Sequence, residues 1–180
     1  LTNSSSLLPS TIHPRCQGLH FFQPLERSGF VEWIQPEGAP AELTARVAQL
    51  LAQARLHPIV QREEAAFAVN RLLLPLQAAC FRALLAGAPA AAVDEASCAA
   101  SLPIGQLTLI DAIGIDVVAA AVESYRGRMT ATQSEALAPL GTGLAALLEA
   151  GKRGRKNGAG LLGRGELSEG DLRIAIAGLC

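Results

Sequence analysis

The sequence has no CxxC pair and no paired cysteines and histidines in a zinc-finger spacing. Its four cysteines, Cys16, Cys80, Cys98 and Cys180, stand far apart. That excludes a zinc-finger pattern or a dense disulfide framework, and it predicts no metal and scattered thiols in an intracellular protein. Net charge is nearly absent as well: 15 basic against 16 acidic side chains leave −1. Such a balance offers nothing to nucleic acid or to an anionic membrane surface. The most apolar run, Leu107–Val122, is short for a membrane span and holds Asp111 and Asp116, so a buried helix pair is predicted instead. The chain does not begin with Met, and Leu1–Arg15 carries no signal-peptide pattern. Without one, the glycosylation match at Asn3-Ser4-Ser5 has little weight.

What is present is ample core material. Half of the 180 residues are hydrophobic, enough for one or two small globular units and too much for a disordered chain. The organising stretch is Gly18–Ile34, GLHFFQPLERSGFVEWI. Two short apolar runs, Leu19–Phe22 and Phe30–Ile34, flank a polar connection with Pro24 and Gly29, the pattern of two strands. Side chains alternate along a strand, so His20 shares a face with Phe22, and Glu32 shares one with Phe30 and Ile34. A carboxylate among such neighbours needs a partner. If the strands lie side by side, that partner is His20. A carboxylate on one imidazole nitrogen fixes the tautomer and leaves the other nitrogen to take a proton, which is the outline of a general-base dyad.

Leu1–Gln17 reads as loop with at most one helical turn. Pro36-Glu37-Gly38 forms a turn, and a helix is predicted over Pro40–Ala54 with Leu43, Val47, Leu50, Leu51 and Ala54 on one stripe. Pro58-Ile59-Val60 reads as a short buried strand. From Glu63 onward the pattern is helical. A helix over Ala66–Ala86 has a core row Leu72, Leu76, Cys80 and Leu84, with Pro75 kinking or restarting it. Further helices are expected over Ala91–Ala100, Ile115–Tyr125 and Ser134–Ala150, with a polar joint at Arg126–Thr132 and a looser turn near Pro139-Leu140-Gly141. Asp111 and Asp116 read as helix-end acids around Gly114. Gly158-x-Gly160-x-x-Gly163 spells a dinucleotide fingerprint, but no strand precedes it. Lys152, Arg153, Arg155 and Lys156 form a basic glycine loop, either a solvated surface or a contact for a ligand's phosphates. After it, Ser168 and the stripe Leu172, Ile176 and Leu179 begin a new helix.

Four blocks in order resemble the 3-hydroxyacyl-CoA dehydrogenase family: TNSSSL, GLHFF-x-P with VE-x-I twelve residues after the His, FAVNRLLLP, and SLPIGQLTLIDAIGID running on to GKRGRKNGAG. The resemblance covers Thr2 to about Gly160. It implies an α/β remnant followed by an all-α part: the C-terminal strands of a Rossmann-like NAD-binding domain through residue 62, then a helical C-terminal domain over 63–165. It implies that His20 is the catalytic base and Glu32 its orienting acid. Ser5 and Asn70 would bind the substrate, and Asn3 and Gln23 would lie on the cofactor side.

The family's cofactor fingerprint should lie upstream, so the chain reads as a fragment, inactive alone. Residues 166–180 read as the truncated start of a second helical repeat. The expected whole is a bifunctional enoyl-CoA hydratase/3-hydroxyacyl-CoA dehydrogenase of fatty-acid β-oxidation, using NAD and an acyl-CoA. It would be cytoplasmic if bacterial, mitochondrial or peroxisomal if eukaryotic, with subunit or second-repeat contacts through the helical domain. Four departures leave alternatives open: Gln23 in place of Asn, Ala65-Ala66 in place of Pro-Gly, Gln106 in place of Pro, and Leu161-Leu162 in place of an aromatic pair. One alternative is a non-catalytic helical assembly module on the same fold. Another is a β-hydroxyacid dehydrogenase whose substrate lacks CoA.

Overall fold

Two short apolar runs, each interrupted by one ionisable residue, form two strands, and a third run beside them completes a sheet. In the computed structural model, which describes residues 1–22, 28–99 and 104–162, β1 (Gly18–Phe21) pairs antiparallel with β2 (Phe30–Gln35), and β2 pairs parallel with β3 (His57–Arg62). The sheet order is β1-β2-β3. An isolated bridge sets Thr2 beside Gly18, parallel to β1. Between Thr2 and β1 lies a single helical turn, α1 (Pro9–Ile12). The chain divides into two compact units, with the boundary in the sequence between Arg71 and Leu72.

In the first unit, one face of the sheet packs on α2 (Ala41–Gln53). Leu19, Val31, Trp33, Val47 and Leu51 form that core, with Phe21, Leu43 and Leu56 at its margin. Burial of each such side chain stabilises the unit by about 1.5–3 kcal/mol. Trp33 keeps its indole N–H satisfied by donating to Gln17 Oε1 at 2.7 Å, and Gln17 in turn donates to Thr44 Oγ1 at 3.0 Å. The opposite face of the strands is therefore left to His20 and Glu32.

The second unit is helical. It takes the greater part of α3 (Phe67–Leu85), then α4 (Ala90–Ala99), α5 (Gln106–Ile113), α6 (Ile115–Arg126), α7 (Ala131–Ala136), α8 (Ala138–Glu149) and a 3-10 turn over Arg155–Asn157. Leu107, Ile110, Ile115, Val122, Leu140 and Leu144 are all buried. Gly143 on α8 faces the Phe81 ring so closely that a Cβ there would overlap it. α3 is also long and apolar enough to cross a membrane by length and composition alone.

Several expectations need correction. β3 exists, but Ile59 and Val60 are 41% and 56% exposed. An apolar run shows that a segment suits a strand, not that the strand has neighbours on both sides, and β3 ends the sheet order. In α3, Leu72 is 77% exposed, whereas Leu74, Gln77, Ala78 and Phe81 are buried. Steps of four overshoot the 3.6-residue turn, so the row from Leu72 starts outside and drifts inward only by Cys80. In α2, Leu50 is exposed beside buried Val47 and Leu51, and Ala54 is exposed too.

The predicted helix over 134–150 is two helices. α7 opens with a reciprocal capping box between Thr130 and Gln133 inside the expected polar joint, and Leu137 separates it from α8. Pro139 occupies the first turn of α8, where a missing N–H costs nothing. Asp116 does sit in the first turn of α6. Asp111 lies in the last turn of α5 and accepts the backbone N–H groups of Leu161 and Leu162.

Candidate active site

The antiparallel register places His20 directly opposite Glu32. Directly opposed residues project to the same face of a sheet, so the pairing brings the two side chains together. His20 Nδ1 and Glu32 Oε2 lie 2.6 Å apart. Glu32 is fully buried, and the His20 side chain is 12% exposed. Phe22 meets the imidazole edge-on with ring centroids 5.3 Å apart, and Phe67 lies tilted against it at 5.5 Å. Among the described residues nothing is hydrogen-bonded to His20 Nε2. With Nδ1–H held by the carboxylate, Nε2 carries the basic lone pair.

Glu32 has its other oxygen fully committed. Oε1 accepts from Gln61 Nε2 at 2.8 Å and from the backbone N–H groups of Ala68 and Val69, each at 2.9 Å. These amides belong to the first turn of α3, whose opening N–H groups have no partner within the helix. A strand carboxylate thus closes the end of a helix, where the helix dipole also favours negative charge. Burial alone would push the Glu32 carboxyl up. The hydrogen bonds from His20, Val69 and Gln61, together with the charge of His20, outweigh it and hold the group below its ordinary value of 4.5. Glu32 is accordingly a carboxylate that stays ionised and cannot turn away from His20 without abandoning three donors.

The turn into α3 is strained. Ala66 and Phe67 have φ of +67° and +53°, a region that side chains with a Cβ rarely adopt. Asn70 lies one residue past Val69, half-buried in the first turn of α3. Asn3 is exposed just beyond the Thr2–Gly18 bridge, and Ser5 is exposed two residues further on. Gln23 lies outside the described residues, as do Gly163, Ser168, Leu172, Ile176 and Leu179.

The glycine loop packs against α5 and α6. A 3-10 turn, not a strand, precedes Gly158 and Gly160. A Cβ at Gly160 would overlap the Asp111 carboxylate. Lys156 forms a close ion pair with Asp116, and Arg153 lies 3.7 Å from the same acid. The Lys156 hydrogen bond holds Asp116 below the usual carboxylate range.

Two residues in supporting roles escaped the sequence reading. Gln61 has a sequence signal in strand alternation: it is a polar residue on the same face of β3 as Ile59, which stands opposite Glu32. Asp94 Oδ1 accepts the N–H groups of Leu107 at 2.8 Å and Thr108 at 3.1 Å, so it caps α5 from a neighbouring helix. No local pattern announces a cap delivered from thirteen residues away.

Known proteins resemble this chain in sequence and in fold. The family model described as "3-hydroxyacyl-CoA dehydrogenase, C-terminal domain" matches residues 67–163. The chain is 36% identical over 122 residues to the fatty acid oxidation complex subunit alpha of Vibrio vulnificus, covering 64% of this chain and 17% of that protein. With the subunit of the same name from Idiomarina loihiensis it shares 35% over 124 residues, covering 66% and 18%. The fold superimposes on the (S)-3-hydroxybutyryl-CoA dehydrogenase of Ralstonia eutropha with a TM-score of 0.79 and 28% identity, over 91% of this chain and 59% of that one. The chain thus spans less than a fifth of the curated relatives it matches.

Proposed function

The chain belongs to the 3-hydroxyacyl-CoA dehydrogenase family, and from that premise we propose that it carries the acid–base machinery of an NAD-dependent enzyme oxidising 3-hydroxyacyl-CoA to 3-oxoacyl-CoA. The setting is fatty-acid β-oxidation, as part of a larger, bifunctional protein. The observation that supports this best is the 2.6 Å contact between His20 Nδ1 and a buried, ionised Glu32.

In this reading the substrate's 3-hydroxyl donates to His20 Nε2, and the proton passes to that nitrogen. Glu32, already opposite Nδ1, faces the positive charge that develops on the ring. Phe22 and Phe67 keep water from the imidazole. Ser5 and Asn70 donate hydrogen bonds that position the substrate's oxygens. The exposed amide of Asn3, next to the Thr2 that bridges to the start of β1, fits contact with a nicotinamide ring, and Gln23 is assigned to the same side. NAD, when bound, supplies the acceptor for the hydride from C3.

The test is NADH formation by the full-length protein with a chain-length series of 3-hydroxyacyl-CoA substrates, run beside the matching free 3-hydroxy acids. Turnover of the thioesters alone is expected. Turnover confined to the free acids would move the protein to another β-hydroxyacid dehydrogenase activity. A protein inert toward both would be the helical assembly module instead.

A further inference from the structure

The dyad is one part of a row of three side chains, and we propose that Gln61 is a positioning residue for the catalytic pair. This inference rests on the dehydrogenase reading given above. His20 on β1, Glu32 on β2 and Gln61 on β3 all project from the same face of the sheet. Gln61 stands opposite Ile34, one same-face position beyond Glu32, and its amide reaches back to donate to Glu32 Oε1 at 2.8 Å.

A carboxylate has two equivalent oxygens and rotates about its last bond unless both are engaged. Here the backbone amides of Ala68 and Val69 approach Oε1 from α3, while Gln61 approaches it from the sheet. Donors from two different elements fix the carboxylate plane as well as its distance, and Oε2 is the oxygen left for His20 Nδ1. The two amides belong to a helix end that would take any acceptor. Gln61 is the one side-chain donor to Oε1 among the described residues, and it is placed to fix the plane in which the carboxylate meets the imidazole. A side chain that holds a reacting group in its productive orientation acts on the transition state more than on substrate binding.

Gln61→Met keeps the length and removes the donor. In the full-length protein it should lower kcat for a 3-hydroxyacyl-CoA about tenfold, the size of one hydrogen bond to a charged group, with KM changed less than about twofold. In a Glu32→Gln background, the same substitution should lower kcat no further, because its effect passes through Glu32. Unchanged kcat, or an equal loss in both backgrounds, would overturn the proposal. If Gln61→Met does not fold, Gln61→Asn, whose amide falls one carbon short, gives the same comparison. Loss of turnover in His20→Ala with none in the Gln61 variants would sink this inference alone. Normal turnover in His20→Ala would sink the dehydrogenase reading beneath it.

Discussion

Val69 N–H donates to Glu32 Oε1 at 2.9 Å, joining a helix and a strand 37 residues apart in sequence. The acid that orients the imidazole is therefore also the cap of α3. Site and scaffold share one carboxylate.

Removing that carboxylate should cost stability as well as function. Glu32→Ala leaves the amides of Ala68 and Val69 and the Gln61 side chain without their acceptor. A loss of about 3 kcal/mol or more is expected. Glu32→Gln retains an acceptor oxygen and should lose about 1–2 kcal/mol. Urea unfolding of the two variants checks the order. Wild-type stability in Glu32→Ala would contradict the shared role.

The same group sets a direction for acid sensitivity. Its folded-state value lies below the ordinary 4.5, so the unfolded chain binds this proton more readily than the folded one. The stabilisation is fully present above pH 4.5 and falls away as the pH drops through the lower folded value. Urea midpoints followed downward from pH 6 should decline over that window. Glu32→Gln should flatten the decline, and an unaltered slope in that variant would count against it.

Ala66 offers a gain. It holds φ of +67°, where a Cβ is strained by about 1–2 kcal/mol. Glycine relieves that strain but adds freedom to the unfolded chain, so Ala66→Gly should stabilise by about 0.5–1 kcal/mol net. A rise in melting temperature is the expected result. A fall would show that the turn depends on the alanine methyl.

Asp111 should matter for folding and not for chemistry. Asp111→Ala frees the amides of Leu161 and Leu162 and opens space beside Gly160. A loss of about 2–3 kcal/mol is expected, with KM for the acyl-CoA unchanged in the folded enzyme. Gly160→Ala should mimic it by forcing a Cβ into the same carboxylate.

The dyad was legible because it rests on short-range regularities. Alternation put His20 and Glu32 each on a definite face, and a short connection made antiparallel neighbours of their strands. The family blocks then named the roles. What escaped depended on partners remote in sequence. Gln61 is an ordinary polar strand residue until Glu32 is seen beside it, and Asp94 an ordinary helix acid until α5 arrives. Burial was misjudged wherever residue type stood in for position: Ile59 and Val60 are apolar on an edge strand, and Leu72 begins a row that only later turns inward. The break between α7 and α8 shows in the sequence only as Pro139, and the start of α7 rests on the Thr130–Gln133 capping box, a pair that lies before the apolar stripe begins.

The most direct test of the central claim is turnover of the full-length protein carrying His20→Ala. A base that accepts the hydroxyl proton contributes about 100-fold or more, so kcat for a 3-hydroxyacyl-CoA should fall at least that far. A variant that still reduces NAD at close to the wild-type rate would show that the proton goes elsewhere.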